Sequence, residues 1–148
     1  MLVRNTHYTA IWFDETDKKV KYINQLVLPF TFEIKELRSS EEAFWAIKNM
    51  EVRGAPLIGI TGAFGIYLAA LESVDRNNPT AYIRTKADYL KSSRPTAINL
   101  FYAIDRVLKC IENAGSSNEV VALALGEANQ ILSEEIADCK SIGEYGLP

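Results

Sequence analysis

The chain has 148 residues, of which 48% are hydrophobic and 24% charged, and its net charge is −3. That length favours one domain with enough core to need no disulfide or metal, and the acidic balance excludes a general nucleic-acid binder, which needs clustered Lys and Arg. Cys110 and Cys139 form no CxxC pair and His7 is the only histidine, which excludes a zinc site of the usual kind.

Residues 1–7, with Met1 and Arg4, lack the apolar stretch of a signal peptide. Two free thiols fit a reducing compartment, so a cytoplasmic protein is expected. Residues 9–13 are an apolar, β-prone run, and residues 19–23 alternate polar and apolar after a polar turn. Leu28-Pro29 breaks the chain, and residues 30–35 alternate again. Together they predict a small antiparallel sheet.

The period then becomes helical. Ser39 and Ser40 are N-cap candidates for a first helix with Phe44, Ile47 and Met50 on its apolar stripe. No charge falls between Gly54 and Leu71, close to the length of a membrane span. Four glycines and flanks without a one-sided basic anchor favour a helix buried on all sides of a soluble core instead. Within it, Gly59, Gly62 and Gly65 are spaced to admit a close helix neighbour. A third helix covers about residues 80–91, and a fourth follows Arg94-Pro95-Thr96. The last runs from about Glu119 to Ser141, with Gly143, Gly146 and Pro148 ending the pattern.

Two strings carry the candidate chemistry, Val52-Arg53-Gly54-Ala55-Pro56 and Ser92-Ser93-Arg94-Pro95-Thr96. Each sets an arginine before a proline-marked helix start. A helix start offers unpaired N–H groups and a partial positive charge, which suit phosphate, and the guanidinium fork grips its oxygens in pairs. Gly54 would let backbone approach the ligand. An ordinary solvated arginine, or one paired with Glu51, is the competing structural reading. The thiols, His7 and Glu134 with Glu135 on a solvated helix face carry less, and Asp105-Arg106 reads as a surface or interhelical ion pair.

The segments 50–60 and 93–106, followed by Glu134-Glu135-Ile136 and Ile142-Gly143-Glu144-Tyr145-Gly146, resemble in order the methylthioribose-1-phosphate isomerases. The resemblance implies an α+β fold: a small antiparallel sheet over about residues 8–36, then a helical bundle over about residues 40–142, the whole of residues 1–148 being an amino-terminal substrate-binding domain. It implies an aldose–ketose isomerisation in methionine salvage, with no cofactor and no metal. Its first-domain substrate contacts fall on Arg53, Gly54, Ala55 and Arg94, and Arg53 and Arg94 are expected to point into one shared groove.

Such enzymes carry a catalytic cysteine and aspartate in a Rossmann-like second domain. Neither Cys110, Cys139 nor Asp105 matches those motifs, so no catalytic residue is assigned and the isolated chain is expected to be inactive. Expected partners are a small sugar phosphate and a separately encoded carboxy-terminal domain or a second copy, with no nucleic acid and no membrane. The related fold of translation-initiation exchange-factor regulatory subunits supplies the alternative, a regulatory or sugar-phosphate-binding module. A degenerate chain without activity is the third reading.

Overall fold

The computed structural model describes residues 2, 3 and 5–147, so Met1, Arg4 and Pro148 of the sequence reading lie outside the described residues. A hairpin of β1 (Leu2–Val3) and β2 (Thr6–His7) opens the fold and gives His7 a place in a strand. β3 (Ile11–Asp14), β4 (Lys19–Ile23) and β5 (Ile34–Leu37) then form an antiparallel meander, with Ile11 opposite Tyr22 and Val20 opposite Leu37. These four side chains point into the core, as strand alternation requires.

The third strand starts later than the alternation over residues 30–35 suggests. Asn24 binds Glu33 twice, through its backbone N–H at 3.0 Å and its side-chain amide at 2.6 Å. This closes residues 24–33 into a loop, so pairing resumes only at Ile34 and Phe30 is left 95% exposed.

Five helices follow: α1 (Ser40–Lys48), α2 (Ala55–Ser73), α3 (Pro79–Ser92), α4 (Ile98–Ile111) and α5 (Ser117–Gly146). Beyond Leu37 no strand occurs among the described residues. The fold is α+β, a small antiparallel sheet followed by a helical bundle. Met50 drops out of the expected α1 stripe, because it lies past the helix end in a left-handed conformation and is exposed.

The last helix does not stop near Ser141. It passes through Gly143 to Gly146, and neither glycine takes the positive φ that ends a helix. A glycine inside a helix costs only about 1 kcal/mol against alanine, so it weakens the helix without terminating it.

α2 is apolar all round and becomes the central helix. Its length and composition would also suit a membrane span, but 78% of its apolar window is buried inside the fold. It packs against α1, α3, α4 and α5. Gly62 and Gly65 are two points of close approach: an added Cβ would lie 2.5 Å from Leu100 and 2.9 Å from Leu90, respectively. Both leucines are fully buried, which bears out close packing as the reason for this glycine spacing.

Candidate functional site

Three of the five helices close their own first turns. Ser39, Asn78 and Ser116 each accept a hydrogen bond from the backbone N–H three residues on, at 3.1–3.2 Å. α2 and α4 differ. Their N-cap residues, Gly54 and Ala97, make no side-chain cap bond, and neither first turn holds an acid. The first turn of α2 keeps the N–H groups of Ala55 and Leu57, and that of α4 the N–H groups of Ile98 and Asn99, ahead of the first helical bonds made by Ile58 and Leu100. Each such end behaves as roughly half a positive charge.

Tertiary packing sets these two ends side by side. Gly59, one turn into α2, lies so close to the start of α4 that a Cβ there would be 2.8 Å from the Asn99 carbonyl oxygen. Two partial positive charges therefore adjoin, an arrangement that favours an anion between or above them.

Arg53, Gly54 and Ala55 are exposed at the α2 start, and Arg94 is half-buried ahead of α4. Gly54 has φ +97°, a conformation costly for any side chain, although a Cβ would meet nothing within 4 Å. Backbone geometry alone thus calls for glycine. The sequence pattern starts the fourth helix just after Arg94-Pro95-Thr96. The helix begins only at Ile98, after a turn closed by the Ala97 N–H on the Arg94 carbonyl at 3.0 Å.

Glu51 is not the partner of Arg53. Its carboxylate takes Lys35 at 2.8 and 2.9 Å and the Tyr22 hydroxyl. Burial, reinforced by Glu51, pushes the Tyr22 phenol well above its ordinary range. Arg53 instead meets Gln25: its backbone N–H donates to Gln25 Oε1 at 3.1 Å and its Nη2 to the Gln25 carbonyl at 3.2 Å. Gln25 escaped the sequence reading because it lies 28 positions away and carries no motif.

A cleft of about 150 Å³ opens between α2, α4 and α5, lined by Pro56, Gly59, Asn99, Tyr102, Arg106 and Glu135 among others. Arg53 and Arg94 stand outside its lining. Arg106 is spoken for: it binds Glu127 through Nε and both oxygens of Glu134. Glu134, expected on a solvated face, is held by Arg106 and by Gln130, and its carboxyl falls to about 2. Asp105 pairs with Lys91 across helices. Burial raises the half-buried Cys110 thiol, which disfavours its nucleophilic thiolate.

The fold and these ends define a class: a small sheet braced against a five-helix bundle that presents two bare helix starts, each preceded by an arginine. Residues 51–148 match the Initiation factor 2 subunit family, and the chain belongs to that family. It is 38% identical over 137 residues to a methylthioribose-1-phosphate isomerase from Desulfosudis oleivorans, covering 93% of this chain and 37% of that protein. With one from Methylocella silvestris it shares 43% over 148 residues, 99% of this chain and 39% of that protein. The chain thus spans about two fifths of the length of these curated relatives.

Among solved structures, translation initiation factor eIF-2B subunit delta from A. fulgidus superposes with a TM-score of 0.79 at 40% identity, covering 86% of this chain and 37% of that one. The 5-methylthioribose 1-phosphate isomerase from Pyrococcus horikoshii OT3 superposes with a TM-score of 0.74 at 35% identity, covering 84% and 36%.

Proposed function

We propose that residues 1–148 are the amino-terminal, substrate-binding domain of a cytoplasmic methylthioribose-1-phosphate isomerase, with Arg53, Gly54, Ala55 and Arg94 as the contacts to the sugar phosphate. The observation that carries this reading is the pair of adjoining, uncapped helix starts at Ala55 and Ile98, each led by an arginine. Backbone donors and guanidinium forks together hold a phosphate better than either alone. The relatives named as isomerases supply the substrate class.

Moving hydrogen between neighbouring sugar carbons needs an acid or base within reach of the reacting atoms. Arginine stays protonated throughout the physiological range, and Gly54 and Ala55 carry no titratable group. This set binds and orients; the acid–base groups come from further polypeptide, a separately encoded domain or a second copy. The chain alone should therefore bind substrate without turning it over.

The test assays methylthioribulose 1-phosphate production by the chain alone and mixed with a separately expressed carboxy-terminal domain of a relative, alongside calorimetric binding of the aldose phosphate. Arg94→Ala should weaken binding by about tenfold or more, as loss of a charged hydrogen bond implies. Turnover by the chain alone would refute the division of labour. The likeness to the translation factor subunit favours a second reading, a regulatory sugar-phosphate-binding module. Binding without turnover, both alone and in the mixture, would select it.

A further inference from the structure

The sheet's contribution to this region points to a role for a residue that no motif marks. Asn24, buried at the end of β4, is tied through its backbone and side chain to Glu33. Its side-chain oxygen also accepts from the Leu26 N–H at 3.1 Å. The next residue, Gln25, is therefore held at a fixed point beside the sheet. Its own N–H donates to the Glu51 carbonyl at 2.8 Å. From there it receives both the backbone N–H and the Nη2 of Arg53, at 3.1 and 3.2 Å.

On the other side Glu51 is locked to β4 and β5 by Tyr22 and Lys35. Its N–H and that of Val52 donate to the Ala46 carbonyl, at 2.9 and 3.3 Å. The three residues before Gly54 are thus bound to the sheet and to α1 on both flanks. Arg53 itself is exposed. An exposed arginine normally samples many rotamers, and fixing one costs entropy on ligand binding. The Gln25 contacts restrict that freedom in advance.

We infer that Gln25 is a positioning residue for Arg53: it sets the backbone and guanidinium of Arg53 beside the α2 start, so that an anion there meets a pre-oriented arginine. The inference rests on the phosphate-binding reading above for its functional consequence, but the Gln25–Arg53 clamp can be tested without it. Gln25 acts through Arg53: its side-chain oxygen holds the Arg53 backbone N–H, and its main-chain carbonyl takes the guanidinium.

The decisive variant is Gln25→Met, which keeps the side-chain length and removes the side-chain acceptor of the Arg53 N–H, leaving the main-chain carbonyl that accepts from Nη2. Hydrogen exchange at the Arg53 amide, followed by NMR in the free chain, should quicken by about two- to tenfold, the range that loss of one hydrogen bond implies. An unchanged rate would overturn the clamp, whatever the chain binds. Calorimetric titration with methylthioribose 1-phosphate then reads the consequence. Gln25→Met should weaken binding by about two- to tenfold, and in the Arg53→Ala background, where only the backbone beside Gly54 is left to shift, its further effect should be smaller.

Equal further weakening in the Arg53→Ala background would overturn the positioning role, since a structural or direct contact gives that result. Binding unaffected by either Arg53→Ala or Arg94→Ala would instead refute the phosphate reading. The exchange measurement would still decide the clamp.

Discussion

Replacing Gly59 by alanine sets helix propensity against helix contact at the point where the two bare helix starts meet. Gly59 lies inside α2 without a positive φ, so alanine there should gain about 0.8–1.0 kcal/mol from propensity. Its new Cβ, however, would sit 2.8 Å from the Asn99 carbonyl oxygen and 3.2 Å from the carbonyl carbon. These are backbone atoms, so relief requires the start of α4 to move. Overpacking of this kind costs about 1–3 kcal/mol, which leaves Gly59→Ala neutral to about 2 kcal/mol destabilised. Gly126, inside α5 and exposed, is the control, because a Cβ there meets nothing within 4 Å. Gly126→Ala should gain the full propensity term of about 0.8–1.0 kcal/mol. At about 2–4 °C per kcal/mol for a chain of this size, thermal melting followed by circular dichroism should separate the two variants by at least about 2 °C. Sugar-phosphate affinity should fall with Gly59→Ala, which displaces α4, and stay constant with Gly126→Ala. A Gly59→Ala variant melting as high as Gly126→Ala would refute the view that contact at Asn99 dictates glycine.

The Arg106 cluster gives a pH prediction. Glu134 is held at about 2 by Arg106, below its ordinary 4.5, so its contribution to stability is full above about pH 4.5 and lost as pH falls towards 2. In Arg106→Ala its carboxyl should titrate near the ordinary value by carbon-detected NMR, and that part of the acid dependence should vanish; a Glu134 midpoint unmoved by the substitution would contradict the pairing. Glu72 receives the backbone N–H and hydroxyl of fully buried Ser40, at 2.6 and 2.8 Å, and the Tyr82 hydroxyl at 2.7 Å. Glu72→Ala should therefore cost about 2–4 kcal/mol by chemical denaturation, because two buried donors lose their acceptor. Ser116→Ala removes the cap that accepts from Glu119 and should cost about 1 kcal/mol in the same measurement.

Local chemistry wrote much of the chain's order into the sequence. Alternation at Lys19–Ile23, the serine caps before α1 and α5, and prolines at the starts of α2 and α3 act within a few residues of themselves. An α2 apolar all round has no polar face to offer water, so burial at the centre follows from composition alone. Glycines three apart likewise required a close neighbour, though not its identity. The arginines before α2 and α4 were visible because guanidinium groups and helix starts suit phosphate wherever they stand.

Long-range partnership was decided only by the tertiary structure. Arg106 meets Glu127 and Glu134 across 21 and 28 residues, and Arg53 meets Gln25 across 28. No local periodicity encodes such pairs, since charge and hydrogen-bonding capacity on a helix or loop are shared by many solvated residues. The extent of α5 was equally hidden, because a glycine marks a helix end only if the backbone there turns left-handed, and Gly143 and Gly146 do not. Above all, the sequence presents two helix starts 43 residues apart, Ala55 and Ile98. Packing of Gly59 against Asn99 makes them neighbours, because only a side-chain-free residue lets two helix backbones come that close.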